Sequence, residues 1–197
     1  MRTFSSLCTV LAVALSRPDC AWALTGTATT LDLGQASAWT VTNTTAAAAV
    51  KATVPGQIHT DLLAAGIIAE PFNGTNNDLQ RWVALSNWTY SSTFNVPADF
   101  LKHTNVQLVS LGIDTVATIY LNDHQVFFTD NMFHRIRLNV KPHLQAGENQ
   151  IRVEFTSKVV EAAARMNACN NETSVICPSG ARNPVQHGFD NQNYLRT

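Results

Sequence analysis

Side-chain chemistry needs a nucleophile, an acid–base pair or a set of metal ligands at workable spacing, so the carboxylates come first. Asp114, Asp123 and Asp130 flank short runs of alternating polarity. Two such groups could hydrolyse a glycosidic bond if a cleft held them about 5–10 Å apart. Their spacing does not bring them together, and each also suits a turn: Asp114 after Gly112, Asp123 in a hairpin, Asp130 before Asn131. The sequence has no G-x-S-x-G elbow, no H-E-x-x-H pair and no glycine-rich phosphate loop. The six histidines are scattered. His59, near a helix start, reads as a hydrogen-bonded structural residue or as a ligand contact. His134 follows Phe133 and is expected at the surface, and His187 lies in a tail without clear period. No cofactor or metal is expected.

Aromatic faces offer a different chemistry, since sugar rings stack on them through their C–H groups. Trp82 and Trp88 bracket a short connection. Alternation places Trp88 in the core, whereas Trp82 reads equally as core or as a substrate contact. Cys169 and Cys177 lie eight apart in a polar loop. In an oxidising compartment they are expected to form a disulfide, worth about 2–3 kcal/mol by loop-closure entropy. The nearest histidine, His187, has no zinc-like spacing to them.

The elements that must carry these residues are mostly strands. Ala117, Ile119 and Leu121 alternate with polar neighbours, as do Ile136, Leu138 and Val140, and then Ile151, Val153 and Phe155. Successive strand side chains point to opposite faces, so each run predicts a half-buried strand. Asn122-Asp123 tolerates the positive φ of a hairpin turn. Trp88 to Val96 predicts an amphipathic strand closed by Pro97, and Val106 to Leu111 a buried one. Leu31–Leu33 and Trp39–Thr42 are shorter candidates after a disordered lead-in over Leu24–Thr30, and Val50 follows an Ala-rich stretch that suggests a strand entered from a loop. Two short helices are predicted. Ile58 to Ala65 has Gly66 beyond its end; Lys158 to about Met166 is capped by Ser157, with Val159, Val160, Ala163 and Ala164 on one side. About eight strands with frequent turns give an all-β, jelly-roll β-sandwich with short peripheral helices.

Targeting signals bound the rest. Met1–Ala23 has an early Arg2, the apolar run LCTVLAVAL over Leu7–Leu15, and a small-x-small pattern at Ala21-Trp22-Ala23, which together predict a signal peptide. That places a domain over residues 24–197 and the protein in the secretory pathway. Four N-x-Ser/Thr sequons, at Asn43, Asn73, Asn87 and Asn171, agree with that compartment. The chain is 45% hydrophobic and 14% charged over 197 residues, which suits one compact domain. Without Arg2, Arg17 and Asp19 its 13 basic and 14 acidic side chains become 11 and 13, a formal net charge of −2. No basic stripe remains, so neither nucleic acid nor a membrane is an expected partner.

Several segments together carry a family resemblance: VPGQIHTDLLAAGII (Val54–Ile68), DLQRWVALSNWTYSSTF (Asp78–Phe94), GIDTVATIYLNDHQV (Gly112–Val126), TDNMFHR (Thr129–Arg135) and Gly147–Met166. In that order and spacing the chain resembles the N-terminal part of lysosomal-type β-mannosidases, a branch of the glycoside hydrolase family that includes β-galactosidase and β-glucuronidase. The resemblance implies a galactose-binding-domain-like sandwich and a retaining enzyme that removes terminal β-mannose from N-glycan-derived oligosaccharides in the lysosome, or after secretion. It also implies two catalytic glutamates on a downstream barrel, so no catalytic residue is assigned here and the barrel domain is the expected partner. The chain stops at NYLRT, before the Trp-Asp-Trp-Gly segment the resemblance leads one to expect, and the sandwich is therefore expected to be incomplete at its C-terminus. A stand-alone secreted carbohydrate-binding module is the alternative reading.

Overall fold

In the computed structural model, residues 10–12, 29–43 and 49–170 are described. Two antiparallel sheets pack face to face. The first contains β1 (Val10–Ala12), β2 (Thr30–Asp32), β6 (Gln107–Ser110) and β9 (Ile136–Asn139), in the order β2-β1-β6-β9. The second holds β3 (Trp39–Asn43), β4 (Val50–Ala52), β5 (Trp88–Val96), β7 (Ala117–Leu121), β8 (His124–Thr129) and β10 (Gly147–Phe155), in the order β4-β3-β5-β10-β7-β8. Five short helices sit at the periphery: α1 (Leu33–Ala36), α2 (Ile58–Ala64), α3 (Asn76–Leu79), α4 (Trp82–Leu85) and α5 (Lys158–Asn170).

β10 is the spine of the larger sheet. It pairs with β5 from Gly147↔Val96 to Phe155↔Trp88 and with β7 from Ile151↔Leu121 to Phe155↔Ala117. The predicted alternation is present: Ala117, Ile119 and Leu121 are buried, and so are Ile151 and Val153, while Phe155 is half-buried. Across the sandwich Leu108, Ile136 and Val140 close the core, with Arg135, Arg137 and Asn139 exposed. The β7–β8 turn has positive φ at both residues, Asn122 (48°) and Asp123 (63°), as a two-residue hairpin matched to strand twist requires.

One buried polar residue fixes where β10 begins. Asn149 is 2% exposed, and its Oδ1 accepts from Gln145 N (2.9 Å) and Asn122 Nδ2 (2.8 Å). Its Nδ2 donates to the carbonyls of Gln145 (2.7 Å) and Gly147 (2.9 Å). Asn122 completes the link by accepting from Gln150 N (2.8 Å) and donating to the His143 carbonyl (2.7 Å). The hairpin turn and the start of β10 are thus one hydrogen-bonded unit.

The structure corrects several expectations. Thr30 belongs to β2 rather than to a disordered lead-in, and Leu33 opens a short helix capped by Asp32, whose Oδ1 accepts from Gly34 N (2.9 Å). α5 runs past Met166 to Asn170, with Ser157 Oγ accepting from Val160 N as expected of a cap. Its buried side is Val159, Ala162 and Met166, whereas Val160 is half exposed and Ala164 exposed. A run of small apolar residues defines no unique stripe, and the i, i+3, i+7 row is the one that is buried, on a helix that packs beside α4. Among the described residues ten strands are present, where about eight were predicted. The extra ones are short pieces such as β1 that carry no alternation of their own.

Asn149→Ala is expected to leave Gln145 N and Asn122 Nδ2 without their acceptor in a buried site and to cost about 2–4 kcal/mol, given about 1–3 kcal/mol for each group left unsatisfied. Chemical denaturation of wild type and variant measures this difference. A loss under 1 kcal/mol would remove Asn149 as the anchor of β10.

Candidate functional site

The sequence-predicted carboxylates are not brought together as a catalytic pair. Asp114 accepts a hydrogen bond from Thr115 Oγ1 and lies 3.5 Å from Lys158 Nζ. Asp130 accepts from Arg165 Nη1 at 2.8 Å, and Arg165 also donates to Glu161 at 2.9 Å. Asp123, in the hairpin, lies 3.5 Å from Arg152, which also pairs with Glu154 and stacks 4.2 Å from the centre of the Tyr120 ring. Two of the three carboxylates therefore clamp α5 to the ends of β7 and β8, and the third faces a cation on β10. All three do structural work.

The surface with the most chemical variety lies on α2, α3, α4 and their connections, beside α5 and the Trp88 end of the larger sheet. An open cleft of about 670 Å³ is lined by Gln57, His59, Thr60, Leu63, Glu70, Pro71, Phe72, Gly74 and Asn77. Phe72, 95% exposed, stands at its rim. Beyond it run Ile67, Leu79, Trp82 and Leu85, each a large apolar side chain open to solvent. Among the described residues, most such side chains fall between Leu63 and Leu85.

Local hydrogen bonds explain why this irregular stretch keeps one shape. The α2 helix ends with Gly66 at φ 70°, as the Gly after a C-cap does. Gln80, buried, donates to the Ala69 carbonyl (2.9 Å), and Asn76 Nδ2 to that of Glu70 (2.9 Å). The last carbonyls of α4 are taken by distant donors, Val83 O by Trp88 Nε1 (2.9 Å) and Ala84 O by Ser157 Oγ (2.7 Å). Helix-end carbonyls need such partners, and here they tie α4 to β5 and to the start of α5. Trp88 is a core residue, as its alternation predicts. Trp82 is 39% exposed with its ring tilted 45° to that of Trp88 at 6.0 Å, so it belongs partly to the core and partly to the surface.

Beneath the cleft sits a residue the sequence reading missed. Asp61, in α2, is buried at 4% exposure; its Oδ1 accepts from Thr53 N (3.1 Å) and its Oδ2 from the Tyr90 hydroxyl (3.4 Å). Burial raises its pKa above the ordinary carboxylate range, and the hydrogen bonds from Thr53 and Tyr90 only partly offset this. Burial, followed by the neighbouring Asp61 charge, holds the Tyr90 phenol well above its usual value. His59, two residues earlier, is half-buried and pushed down, first by desolvation and then by Lys158. These partners lie eight and 29 residues from Asp61, so no local pattern announces the cluster.

The remaining site residues divide. Asn73 and Asn87 are exposed, and Asn43, in β3, is half-buried. Asn87 Oδ1 accepts from Ser157 N at 2.7 Å, an orientation that leaves Nδ2, the atom a glycan would use, outside that bond. Asn171, Cys177 and His187 lie outside the described residues, as do most of residues 1–23. His134 is exposed as expected. Among the described residues no group of three or more His, Cys, Asp or Glu side chains could hold a metal ion, and no helix is long and apolar enough to cross a membrane.

The described residues thus form a two-sheet antiparallel sandwich with an open cleft, in which Asp114, Asp123 and Asp130 each lie beside a cation. Residues 39–197 match the glycosyl hydrolase 2 galactose-binding domain-like family, and the chain belongs to it. It is 36% identical over 158 residues to a β-mannosidase of Capra hircus, a match that covers 80% of this chain and 18% of that one. A probable β-mannosidase of Caenorhabditis elegans is 34% identical over 144 residues, covering 73% and 16%. The chain thus spans about a fifth of the length of the curated relatives it matches. Among solved structures, a β-D-mannosidase from Dictyoglomus thermophilum superposes with TM-score 0.66 at 34% identity over 72% of this chain and 17% of that one. The Amycolatopsis orientalis exo-chitosanase, at 16% identity and TM-score 0.53, shares the fold over 60% of this chain and 16% of its own.

The Asp61 carboxyl gives a pH test. Because its folded pKa is raised, the folded state holds a proton that the unfolded chain releases, and stability from this group falls as pH rises through the carboxylate range. Asp61→Asn keeps an acceptor for Thr53 and removes the charge. The melting temperature of the variant relative to wild type is expected to rise between about pH 4 and pH 7. A calorimetric difference that stays flat across that window would contradict a buried, titrating Asp61.

Proposed function

We propose that this chain is the accessory sandwich domain of a β-mannosidase, an enzyme that removes terminal, non-reducing β-D-mannose from N-glycan-derived oligosaccharides. The observation that carries this reading is the 34–36% identity to β-mannosidases over most of the chain, joined to a sandwich in which the tested carboxylates serve ion pairs. In this reading the catalytic glutamates belong to a barrel domain outside the chain, and the β-mannoside is met by the assembled enzyme.

The apolar face from Leu63 to Leu85 is the surface this domain would press against its barrel partner. Burying a large apolar side chain contributes roughly 1.5–3 kcal/mol, and Ile67, Phe72, Leu79, Trp82 and Leu85 are all exposed in the isolated domain. The cleft beside Phe72 supports a role at the rim of a sugar pocket. Trp82, with one side against Trp88, fits a contact at that seam better than a free stacking platform.

The same reading assigns Met1–Ala23 as a signal peptide and the lysosome, or secretion, as the destination. Glycans at Asn43, Asn73, Asn87 and Asn171 and a Cys169–Cys177 bridge complete it. The oxidised state of Cys169 supports the bridge, and exposure of Asn73 and Asn87 supports their use. The raised pKa of Asp61 supports an acidic destination, since this group stabilises the fold more as pH falls. His59 acts in the opposite sense, because its lowered pKa costs stability as pH falls through the ordinary histidine range.

The purified 197-residue chain is expected to show no turnover of an aryl β-mannoside, whereas a full-length enzyme carrying it is active. Leu79→Asp with Trp82→Asp in that enzyme is expected to lower kcat/KM at least tenfold while the sandwich stays folded by circular dichroism. Turnover by the 197-residue chain would overturn the accessory reading, and an unchanged kcat/KM would remove this face as the docking surface. The cleft beside Phe72 is the observation that favours a stand-alone carbohydrate-binding module. Calorimetric binding of β-mannosides by the isolated chain would establish that reading instead.

A further inference from the structure

The β7–β8 hairpin and the connection from β9 to β10 bring two histidine rings together. His124 opens β8 and is exposed, whereas His143 lies in the turn before β10 and is half-buried. Their ring centres are 5.2 Å apart, with the planes tilted by 41°. The two residues are distant in the chain, and no local spacing announces the pair.

One hydrogen-bonded unit holds both backbones. His124 follows the two positive-φ residues of the hairpin and pairs with Leu121 across it. His143 N donates to the Val140 carbonyl (2.9 Å), and its own carbonyl accepts from Asn122 Nδ2 (2.7 Å). Asn122 is in turn bound to Asn149 and Gln150. Side chains carried on such a frame lose little freedom when they bind a ligand. Among the described residues neither imidazole has a hydrogen-bond partner, so the ring nitrogens remain available. The neighbouring charges are engaged elsewhere. Asp123 lies 3.5 Å from Arg152, and Lys141 Nζ donates to the His103 carbonyl (2.9 Å).

We propose that His124 and His143 form a binding site for one divalent transition-metal ion of the zinc class, with water in the remaining positions. Two imidazoles that share a tetrahedral zinc at about 2.0–2.1 Å per nitrogen place their ring centres about 5 Å apart. The pair already stands at that separation. A plain aromatic contact has the same spacing, but it predicts no response to metal. Imidazole suits zinc, copper and nickel, whereas calcium and magnesium take oxygen ligands. Among the described residues no third His, Cys, Asp or Glu completes the set, so the ion keeps open positions and stays exchangeable. Bound there, it ties the hairpin tip to the turn that starts β10. Asn122 and Asn149 join the same two pieces from within.

The test uses the 197-residue chain, purified without a polyhistidine tag and titrated calorimetrically with zinc near neutral pH. One zinc per chain is expected. His124→Gln and His143→Gln are each expected to weaken binding at least tenfold, and His134→Gln to leave it unchanged. Zinc raises the melting temperature of wild type and not of the two variants, because only a ligand of the folded state stabilises it. Calcium raises none of them. Only backbone atoms of His124 and His143 take part in the hydrogen-bonded unit. The metal-free variants are therefore expected to melt within about 2 °C of wild type, which separates lost binding from lost folding.

A wild-type chain that takes up no zinc, or only with weaker than millimolar affinity, would overturn the site. So would variants that bind zinc as wild type does, since the ion would then sit on other ligands. Uptake of calcium as tight as that of zinc would overturn the imidazole assignment as well.

Discussion

The fold depends on the placement of β10. A strand in the middle of a sheet fixes both neighbours, and a one-residue slip would turn every core side chain outward. β10 pairs along its whole length with β5 and over its second half with β7. Hydrophobic alternation alone allows slips of two. Asn149 removes them, because its amide reads the carbonyls of Gln145 and Gly147 and the side chain of Asn122 at once. A buried, fully satisfied polar group is costly to misplace, and so it specifies one register where apolar residues accept several. The strands to either side inherit that choice, and through β5 so does Trp88, on which α4 hangs.

From there the architecture separates rigidity from recognition. The ion pairs of Asp114 and Asp130 with α5 and the bonds from Ser157 to Ala84 and Asn87 close one side of the sandwich. The exposed apolar face lies on short helices and their connections, tied down by hydrogen bonds such as Gln80 to the Ala69 carbonyl and Trp88 to the Val83 carbonyl. Such helices take their shape from the scaffold, so a docking surface made of them is as precise as the strands beneath. This suits the docking role proposed for that face.

Much of the fold was legible because it rests on local rules. Alternation marked β5, β7, β9 and β10, Asn122-Asp123 marked the hairpin, and Gly66 marked the end of α2. The inner face of α5 was not legible, since Val159, Val160, Ala162, Ala163 and Ala164 are nearly equivalent until tertiary packing, here beside α4, chooses among them. Asp61 was missed for a related reason. An aspartate in a short helix reads as solvated surface, and what buries it is Thr53 in one direction and Tyr90 in the other. Of the candidate contacts, Trp88 was placed in the core by its strand, while Trp82 stayed open because a residue in a four-residue helix has no period to read.

The Asp61 cluster bears on how α2 is held to the larger sheet. Thr53 follows β4, at the edge of the larger sheet, and Tyr90 lies on β5 inside it, so one carboxyl ties α2 to both. His59, Thr60 and Leu63, which line the cleft, share α2 with Asp61, so the helix beside the cleft is tied to the sheet through a group whose charge state follows pH. A change in acidity would reach α2 and the cleft through Asp61 before it reached the Asn149-anchored spine, where no titratable side chain takes part.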